Sequence, residues 1–165
     1  MSSYPDVTEN SPYFEAINFV SIFGIMVGDE HAHFNPSLSV SLDELCVIVC
    51  NLLQLNVSGY NAYSDNLSIQ KWAQPYYNAC LKNGLIEDTA RWETSDSRTS
   101  TKNDLYLLLS NAQKNIFRPL QFDPFSTSDS YHSLDQVLNR NLCAFYIHQF
   151  CLNASTAIGS ELFDT

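Results

Sequence analysis

Residues 24–53, GIMVGDEHAHFNPSLSVSLDELCVIVCNLL, contain the end of one predicted helix, a polar loop and the start of a second helix. In the second half of this stretch apolar residues recur at steps of three and four: Leu42, Leu45, Val49, Leu52 and Leu53. This spacing predicts an α-helix with one buried face. Ser41 can accept from a free amide of the first turn, and Glu44 can bond back to the Ser41 amide, which predicts a capping box. The start of this helix is therefore predicted by both its cap and its periodicity.

The preceding residues predict a first helix that ends at Gly24. Ser11 supplies a cap, and Pro12 is a residue favoured at the first helical position. An apolar stripe at helical spacing follows: Tyr13, Ala16, Ile17, Val20 and Phe23. Residues 4–7 are predicted to be extended. The first unit is thus a helix, a loop and a second helix.

The same unit recurs after about 60 residues. The glycine that ends the first helix is matched by Gly84, and the cap of the second helix is matched by Thr101 and Asp104, again in capping-box order. Apolar residues at helical spacing follow this cap: Leu105, Leu108, Leu109 and Ala112. Residues 72–80 predict the first helix of this unit, with its regular part beginning near Pro75.

The loop of the second unit, residues 87–100, is polar and lacks the second glycine and the Phe-x-Pro motif of the first unit. Trp92 is the candidate to replace Phe34 there. A third and partial unit follows, in which Asn139 caps a helix with an apolar face: Cys143, Tyr146, Ile147, Phe150 and Cys151. Its cap lies 38 residues after Thr101, so its first helix is predicted to be lost or remodelled within residues 116–137.

These patterns predict an all-α fold in which helix-loop-helix units pack around a shared helical core. Residues 1–153 are predicted to be a single module with repeats at about 4–57, 63–114 and 116–153, and residues 154–165 a loose tail. Units of this size do not bury their apolar faces alone, so we expect them to fold together.

The charge and hydropathy of the chain argue against several classes of partner. A formal net charge of −10, with no local cluster of lysine or arginine, opposes binding to nucleic acid and to anionic membrane surfaces. No apolar run approaches the roughly 18 to 20 residues of a spanning helix, so membrane insertion is not expected. The N-terminus lacks the pattern of a signal peptide, which leaves a cytoplasmic location open. The five cysteines include no Cys-x-x-Cys pair, and most are predicted to be small buried apolar residues.

The order of short motifs in the two full units resembles the S-layer homology domain family. The matching pieces are YPDV at 4–7, GIMVG at 24–28, FNP at 34–36 and SLDE at 41–44, followed by YSD at 63–65, WA at 72–73, GLI at 84–86 and TKND at 101–104. The resemblance is divergent and covers two full repeats and a truncated third, about residues 4–153. It implies a pseudo-threefold helical assembly at the cell surface, outside the cell. Domains of this family hold proteins non-covalently on a secondary cell-wall polysaccharide, often through its pyruvylated sugars.

The resemblance also implies which residues bind the polysaccharide. In the family motif Thr-Arg-Ala-Glu the arginine meets an acidic sugar substituent, because a planar guanidinium grips a carboxylate with two parallel bonds. That position is Leu42 in the first unit, Lys102 in the second and Arg140 in the third. Arg140 and Lys102 are therefore the predicted ligand-binding cations, and Trp72 is a predicted stacking surface for a sugar. The structural alternatives are that both cations are solvated beside helix starts and that Trp72 belongs to the core.

No catalytic residue, metal site or cofactor is predicted, and the chain is not expected to be an enzyme. Four residues that could suggest acid-base chemistry are predicted to be structural caps: Ser41, Glu44, Thr101 and Asp104. His31 and His33 lie beside Asp29, but this loop is interpreted as a polar turn and not a metal site. His148 lies on the same helix as Cys143, with no orienting group or oxyanion donor apparent.

Two functions remain. The first is a non-catalytic module that binds or anchors to a cell-wall glycan, as the resemblance implies. The second is a protein-interaction or assembly module that kept the scaffold and lost glycan binding. Free cysteines and Leu42 at the arginine position favour the second, so the expected partner is either a secondary cell-wall polysaccharide or a protein.

Overall fold

The computed structural model describes residues 4–117, 123–125 and 133–163, with side chains as far as Thr156. Its helices are α1 (Phe14–Ile22), α2 (Leu42–Leu53), α3 (Gln74–Lys82), α4 (Thr89–Glu93), α5 (Lys102–Asn115) and α6 (Arg140–Phe163), and a 3-10 turn at Lys71–Ala73 leads into α3. Over the described ranges the chain forms isolated bridges but no strand, which confirms the predicted all-α fold. No described helix is long and apolar enough to cross a bilayer.

The first unit consists of α1 and α2, and the second of α3 and α5 with the short α4 in the loop between them. α1 begins at Phe14, later than predicted, because the Ser11 hydroxyl accepts from the Tyr13 amide at 3.1 Å and closes a turn before the helix. α1 and α3 are each followed by a glycine with positive φ, +67° at Gly24 and +73° at Gly84, which is the left-handed conformation that favours glycine.

Two predictions about secondary structure are corrected. The loop predicted over residues 87–100 contains α4, which places Trp92 in the core with 5% of its surface exposed, where Phe34 is also buried. The segment predicted to be a loose tail from Ala154 is helical as far as Phe163, because α6 continues without a break through it. Much of the region assigned to a remodelled first helix, residues 116–137, lies outside the described residues.

The starts of α2, α5 and α6 meet in a closed ring of backbone hydrogen bonds. The residues just before the three caps are Val40, Ser100 and Leu138, all fully buried. The Val40 amide donates to the Leu138 carbonyl at 2.8 Å, Leu138 donates to Ser100 at 3.0 Å, and Ser100 donates to Val40 at 2.9 Å. Each residue donates once and accepts once within the ring, so these buried polar groups are satisfied and the three helix starts are fixed around one point.

A second set of bonds surrounds this ring. Each helix donates its first amide to the carbonyl three residues before the cap of a neighbouring unit: Leu42 to Arg98 at 2.7 Å, Lys102 to Gln136 at 2.9 Å and Arg140 to Leu38 at 2.9 Å. The units therefore contact one another in a cycle of three junctions, first with second, second with third, and third with first.

The helices pack across these junctions around one apolar core. α1 of the first unit packs against α6 of the third, and α3 of the second unit packs against α2 of the first. All five cysteines are free thiols; Cys151 is partly buried and the others are fully buried, as predicted for most of them. The Cys50 and Cys80 sulfurs lie 3.6 Å apart where α2 meets α3, so these thiols are packed within the core.

Candidate functional site

The four predicted caps differ in how completely they form. Thr101 and Asp104 make both bonds of a capping box, since the Thr101 hydroxyl accepts from the Asp104 amide and the Asp104 carboxylate accepts from the Thr101 amide at 2.8 Å. Ser41 accepts from the Glu44 amide at 3.1 Å. Among the described residues the Glu44 carboxylate makes no return bond to Ser41, so the predicted box at α2 is only half formed. The Glu44 carboxylate instead lines a groove.

Arg140 is bound to the first unit. Its Nε donates to the Phe34 carbonyl at 2.7 Å, and its Nη2 donates to the Val27 carbonyl at 2.6 Å. The guanidinium carbon lies 4.5 Å from the centre of the Phe34 ring, in cation-π geometry. Arg140 is therefore not a freely solvated cation, and its first role is to join the third unit to the first.

Lys102 is buried, with 5% of its surface exposed. Its Nζ lies 5.0 Å from the centre of the Tyr146 ring and 5.6 Å from that of Phe125, both in the third unit. The alternative of a solvated lysine beside a helix start is therefore wrong. Because its ammonium group is covered by these rings, Lys102 joins the second unit to the third and lines neither groove described below.

Trp72 lies at the surface, with 49% of it exposed, so the alternative that it belongs to the core is wrong. Its indole N–H donates to the Gln70 side-chain oxygen at 2.6 Å. The ring of Tyr63 is also half exposed, with the Lys71 ammonium 5.1 Å from its centre. Trp72 is thus an accessible aromatic surface, but it lines neither groove.

The first groove, which we call the Arg140 groove, lies at the junction of the first and third units. Its volume is about 240 Å³, and its lining residues are Val27, Gly28, Asp29, Asn35, Leu38, Ser39, Glu44 and Arg140. Within the described residues no hydrogen bond is made by Nη1 of Arg140. Arg140 therefore lines the groove with one guanidinium nitrogen left unbonded in the described part of the chain, and Asp29 and Glu44 line it as well.

The turn beside this groove is organised by carboxylates that accept from main-chain amides. Asp29 accepts from the Asn35 side chain at 3.0 Å and from the His33 and His31 amides, both at 2.9 Å. These bonds, that from Asn35 first, lower the pKa of Asp29 to about 2. Asp6 accepts from the Phe34 and Asn35 amides; burial alone would raise its pKa, but these bonds outweigh burial and lower it.

The second groove, which we call the acidic groove, lies where the second unit meets Leu134 and Asp135 of the third unit. Asn51 of α2 donates to the Ile25 carbonyl at 3.4 Å, and Asn111 of α5 donates to the Leu85 carbonyl at 2.9 Å, so each Gly-Ile or Gly-Leu turn is tied to the helix that follows it. The acidic groove has a volume of about 590 Å³. Its apolar lining is Leu85, Ile86, Trp92, Leu107, Leu108 and Leu134, and its charged lining is Glu87, Asp88, Arg91, Asp104 and Asp135.

Arg91 uses all five of its N–H donors inside this groove. Nε and Nη2 bind the Asp104 carboxylate at 3.2 and 2.9 Å, Nη2 also donates to the Thr99 carbonyl, and Nη1 donates to the Ser95 hydroxyl and the Ser97 carbonyl. The Asp104 charge is therefore neutralised, whereas Glu87, Asp88 and Asp135 are paired with no cation among the described residues.

A further arginine joins the first and second units. Arg98 donates through Nη2 to the Asp43 carboxylate and through Nη1 to the Trp92 carbonyl, the latter at 2.6 Å. Asp43 lies in the first turn of α2 with 2% of its surface exposed, and its other oxygen accepts from the Gln70 amide at 3.2 Å. This ion pair is buried on the carboxylate side.

Three observations bear on catalysis and metal binding. Burial raises the pKa of the Cys143 thiol to about 12 and that of Cys151 to about 11. His148 packs against the ring of Phe19 in a tilted arrangement, with 4.7 Å between ring centres. Over the described part of the chain, no three side chains of the His, Cys, Asp and Glu types are grouped so that they could hold a metal ion.

The comparisons with known proteins found a partial similarity to a surface-layer protein. No protein-family model matches it. Over 98 residues it is 26% identical to the "Surface-layer 125 kDa protein" of Lysinibacillus sphaericus. The matched stretch is 59% of this chain and 8% of that protein, so the chain spans a small part of its relative. The similarity is compatible with a domain related to surface-layer proteins.

The interpretation of the sequence did not include the acidic groove or the roles of Arg91 and Arg98. One signal was available for the arginines. The chain has only eight lysines and arginines, and these two flank the buried Trp92 within one polar loop. A concentration of the rare cations around an aromatic residue favours buried ion pairs over a plain solvated loop.

Proposed function

We propose that the chain is a non-catalytic module that attaches a cell-surface protein to a cell-wall polysaccharide through the Arg140 groove. The observation that carries the proposal is that Nη1 of Arg140 makes no hydrogen bond within the described residues, while Nε and Nη2 are held by two carbonyls. Similarity to part of a surface-layer protein supports the cell-surface setting.

The groove has the size and lining expected for one sugar unit. Its volume of about 240 Å³ lies below the roughly 300–1,000 Å³ typical of sites for drug-sized ligands. Val27 and Leu38 are about 60% exposed and can cover the apolar face of a sugar ring. Because Arg140 is held by two carbonyls, its free nitrogen is already oriented before a ligand arrives, which lowers the entropy cost of binding.

The charges of the groove make the proposal testable. Arg140 attracts an acidic sugar substituent, whereas Glu44 and the ionised Asp29 repel it. Glu44 is the better residue to change, because its carboxylate makes no hydrogen bond within the described residues, whereas Asp29 organises its turn. Replacing Glu44 with glutamine removes one repulsive charge and keeps the shape of the side chain.

The experiment measures binding of the purified chain to cell-wall polysaccharide that either carries or lacks pyruvyl groups. We expect the parent chain to bind the pyruvylated form, and E44Q to bind it about two- to fivefold more tightly, as for loss of one partly exposed charge interaction. E9Q is the matched control, since Glu9 is exposed and lies in neither groove. R140A should abolish binding, and its melting curve will show whether the loss follows from unfolding.

Three results would contradict the proposal: no binding of the parent chain to either polysaccharide, equal effects of E44Q and E9Q, or full binding by a folded R140A chain. Weaker binding by E44Q would indicate a cationic ligand and would also contradict the acidic-sugar assignment.

The non-catalytic role is proposed because no nucleophile was predicted from the sequence, and the pKa of one buried thiol agrees with this proposal. A catalytic thiol requires a lowered pKa, whereas burial raises that of Cys143. A second candidate function, protein interaction, is favoured by one specific observation, which is the larger acidic groove between the second and third units.

A further inference from the structure

We propose that the acidic groove docks a basic segment of a partner protein, in which an apolar side chain is flanked by lysine or arginine. The proposal does not rest on glycan binding, because the two grooves are lined by different residues. It rests on an open apolar surface, on the charge around it and on the size of the groove.

The apolar part of the groove is exposed. Leu107 of α5 is 48% exposed and Leu134, which precedes α6, is 47% exposed, and both lie in the lining of one groove. Covering such surface removes it from water, which is the main favourable term in protein association. The groove volume of about 590 Å³ accommodates more than one side chain.

The charged part of the groove selects the occupant. Arg91 is fully bonded and its charge is paired with Asp104. Glu87, Asp88 and Asp135 are exposed at the rim and have no cation beside them in the described structure. The uncompensated charge of the groove is therefore negative, and a basic segment complements it.

The same charge excludes two other occupants. A second copy of this chain carries a net charge of −10, which opposes its docking against an acidic rim. An acidic polysaccharide is repelled by three carboxylates. A partner protein with a basic and apolar segment is the occupant that the groove fits.

The test uses a fluorescein-labelled synthetic peptide with two leucines flanked by lysines, and measures its binding to the full chain by fluorescence anisotropy. We expect binding that weakens about tenfold or more between about 0.05 M and about 0.5 M salt, because rim charges are screened. E87Q/D135N should weaken binding roughly tenfold, as for the loss of two exposed charge pairs. The matched control E9Q/E15Q changes the net charge equally at exposed sites outside the groove and should have no effect.

A second arm tests the apolar contact. L107S should weaken binding of the leucine-containing peptide, and a peptide with serine in place of leucine should bind equally weakly to parent and variant. L107S changes a half-exposed side chain, so its far-UV circular dichroism should match that of the parent.

The proposal is overturned if E9Q/E15Q weakens binding as much as E87Q/D135N, because the peptide would then bind the net charge of the chain and not the groove. It is also overturned if the peptide without leucines binds as tightly as the original. A glucosamine oligomer could also bind this groove. If it binds more tightly than the peptide, and E87Q/D135N weakens that binding, the groove is assigned to a basic saccharide and the proposal of a protein partner is overturned.

Discussion

Replacing Arg98 with methionine should destabilise the chain by roughly 3–5 kcal/mol, because it leaves the Asp43 carboxylate buried without its cation. Asp43 is 2% exposed, and after the change its remaining described bond is the one from the Gln70 amide at 3.2 Å. Arg98 has 23% of its side chain exposed, so the pair is not a surface salt bridge, for which the expected cost would be about 1 kcal/mol or less.

The opposite change should cost less. D43N keeps an oxygen for the Gln70 amide and leaves Arg98, which can reach water through its exposed side. The double variant D43N/R98M carries no buried charge, so we expect it to regain about 2 kcal/mol or more relative to R98M. The arginine is absent from both R98M and D43N/R98M, so the two variants lose its packing equally. The difference between their free energies of unfolding therefore reports the cost of the unpaired buried charge.

Urea unfolding followed by far-UV circular dichroism at about pH 7 measures these free energies, and thermal melting provides a second measure. For a chain of this size about 1 kcal/mol corresponds to roughly 2–4 °C, so R98M should melt about 10 °C below the parent. K82M is the matched control, since Lys82 is exposed near the end of α3 and its loss removes the same charge. A loss of 1 kcal/mol or less in R98M, or a double variant no more stable than R98M, would refute the reasoning.

Two further predictions concern packing and pH. G28A should destabilise the chain by about 1–3 kcal/mol, because a Cβ there would lie 2.5 Å from the Tyr4 ring and 2.9 Å from a backbone oxygen. G59A is the neutral control in the same melting assay, since a Cβ at that position would meet no atom within 4 Å. The free energy of unfolding should fall as the pH rises from about 8.5 towards about 11 to 12. The reason is that the thiols ionise near about 8.5 in the unfolded chain, whereas in the folded chain the pKa of Cys151 is about 11 and that of Cys143 is about 12. Urea titrations should show a shallower fall in C143A, and an equal slope in both chains would count against the assignment.

The second helix of each full unit could be predicted because local chemistry decides it. In α2 and α5 the apolar spacing and the polar cap lie within one short stretch, and both helices begin within one residue of the predicted cap. The ends of α1 and α3 were predicted for a similar reason, since Gly24 and Gly84 adopt the positive φ that a helix-ending glycine accommodates.

The missed elements lack such local signals. α4 is five residues long, too short for a periodic pattern, and it depends on Trp92 entering the core and on the Asp88 cap. The C-terminal part of α6 has no proline to stop it, but Ser155, Thr156, Gly159 and Ser160 are weak helix formers, which gave no indication that the helix continues from Ala154. In both places the residues of the segment do not indicate a helix, and the helix depends on contacts with the rest of the fold.

The roles of the cations could not be read from their positions. Lys102 and Arg140 are both the first residue of a helix, where the positive end of the helix dipole disfavours a cation. The two predicted alternatives, an acidic ligand or a solvated cation, overlooked aromatic faces and carbonyl oxygens, which also attract cations. Phe34 and Val27 lie more than 100 residues from Arg140 in the chain, so no local pattern could indicate these contacts.

The three junctions show that one structural requirement has three different solutions. Each junction brings a helix start, with its outward amides, against a neighbouring unit, and each contains one cation bound to what that neighbour offers: Arg98 with a carboxylate, Lys102 with two aromatic rings, and Arg140 with two carbonyls and one ring. Arg140 differs from the other two because its partners leave Nη1 without a bond in the described structure, beside an open groove. The contact between units therefore explains why a cation stands at Lys102, but it explains only part of the role of Arg140. For this reason we assign the proposed glycan contact to the third unit alone.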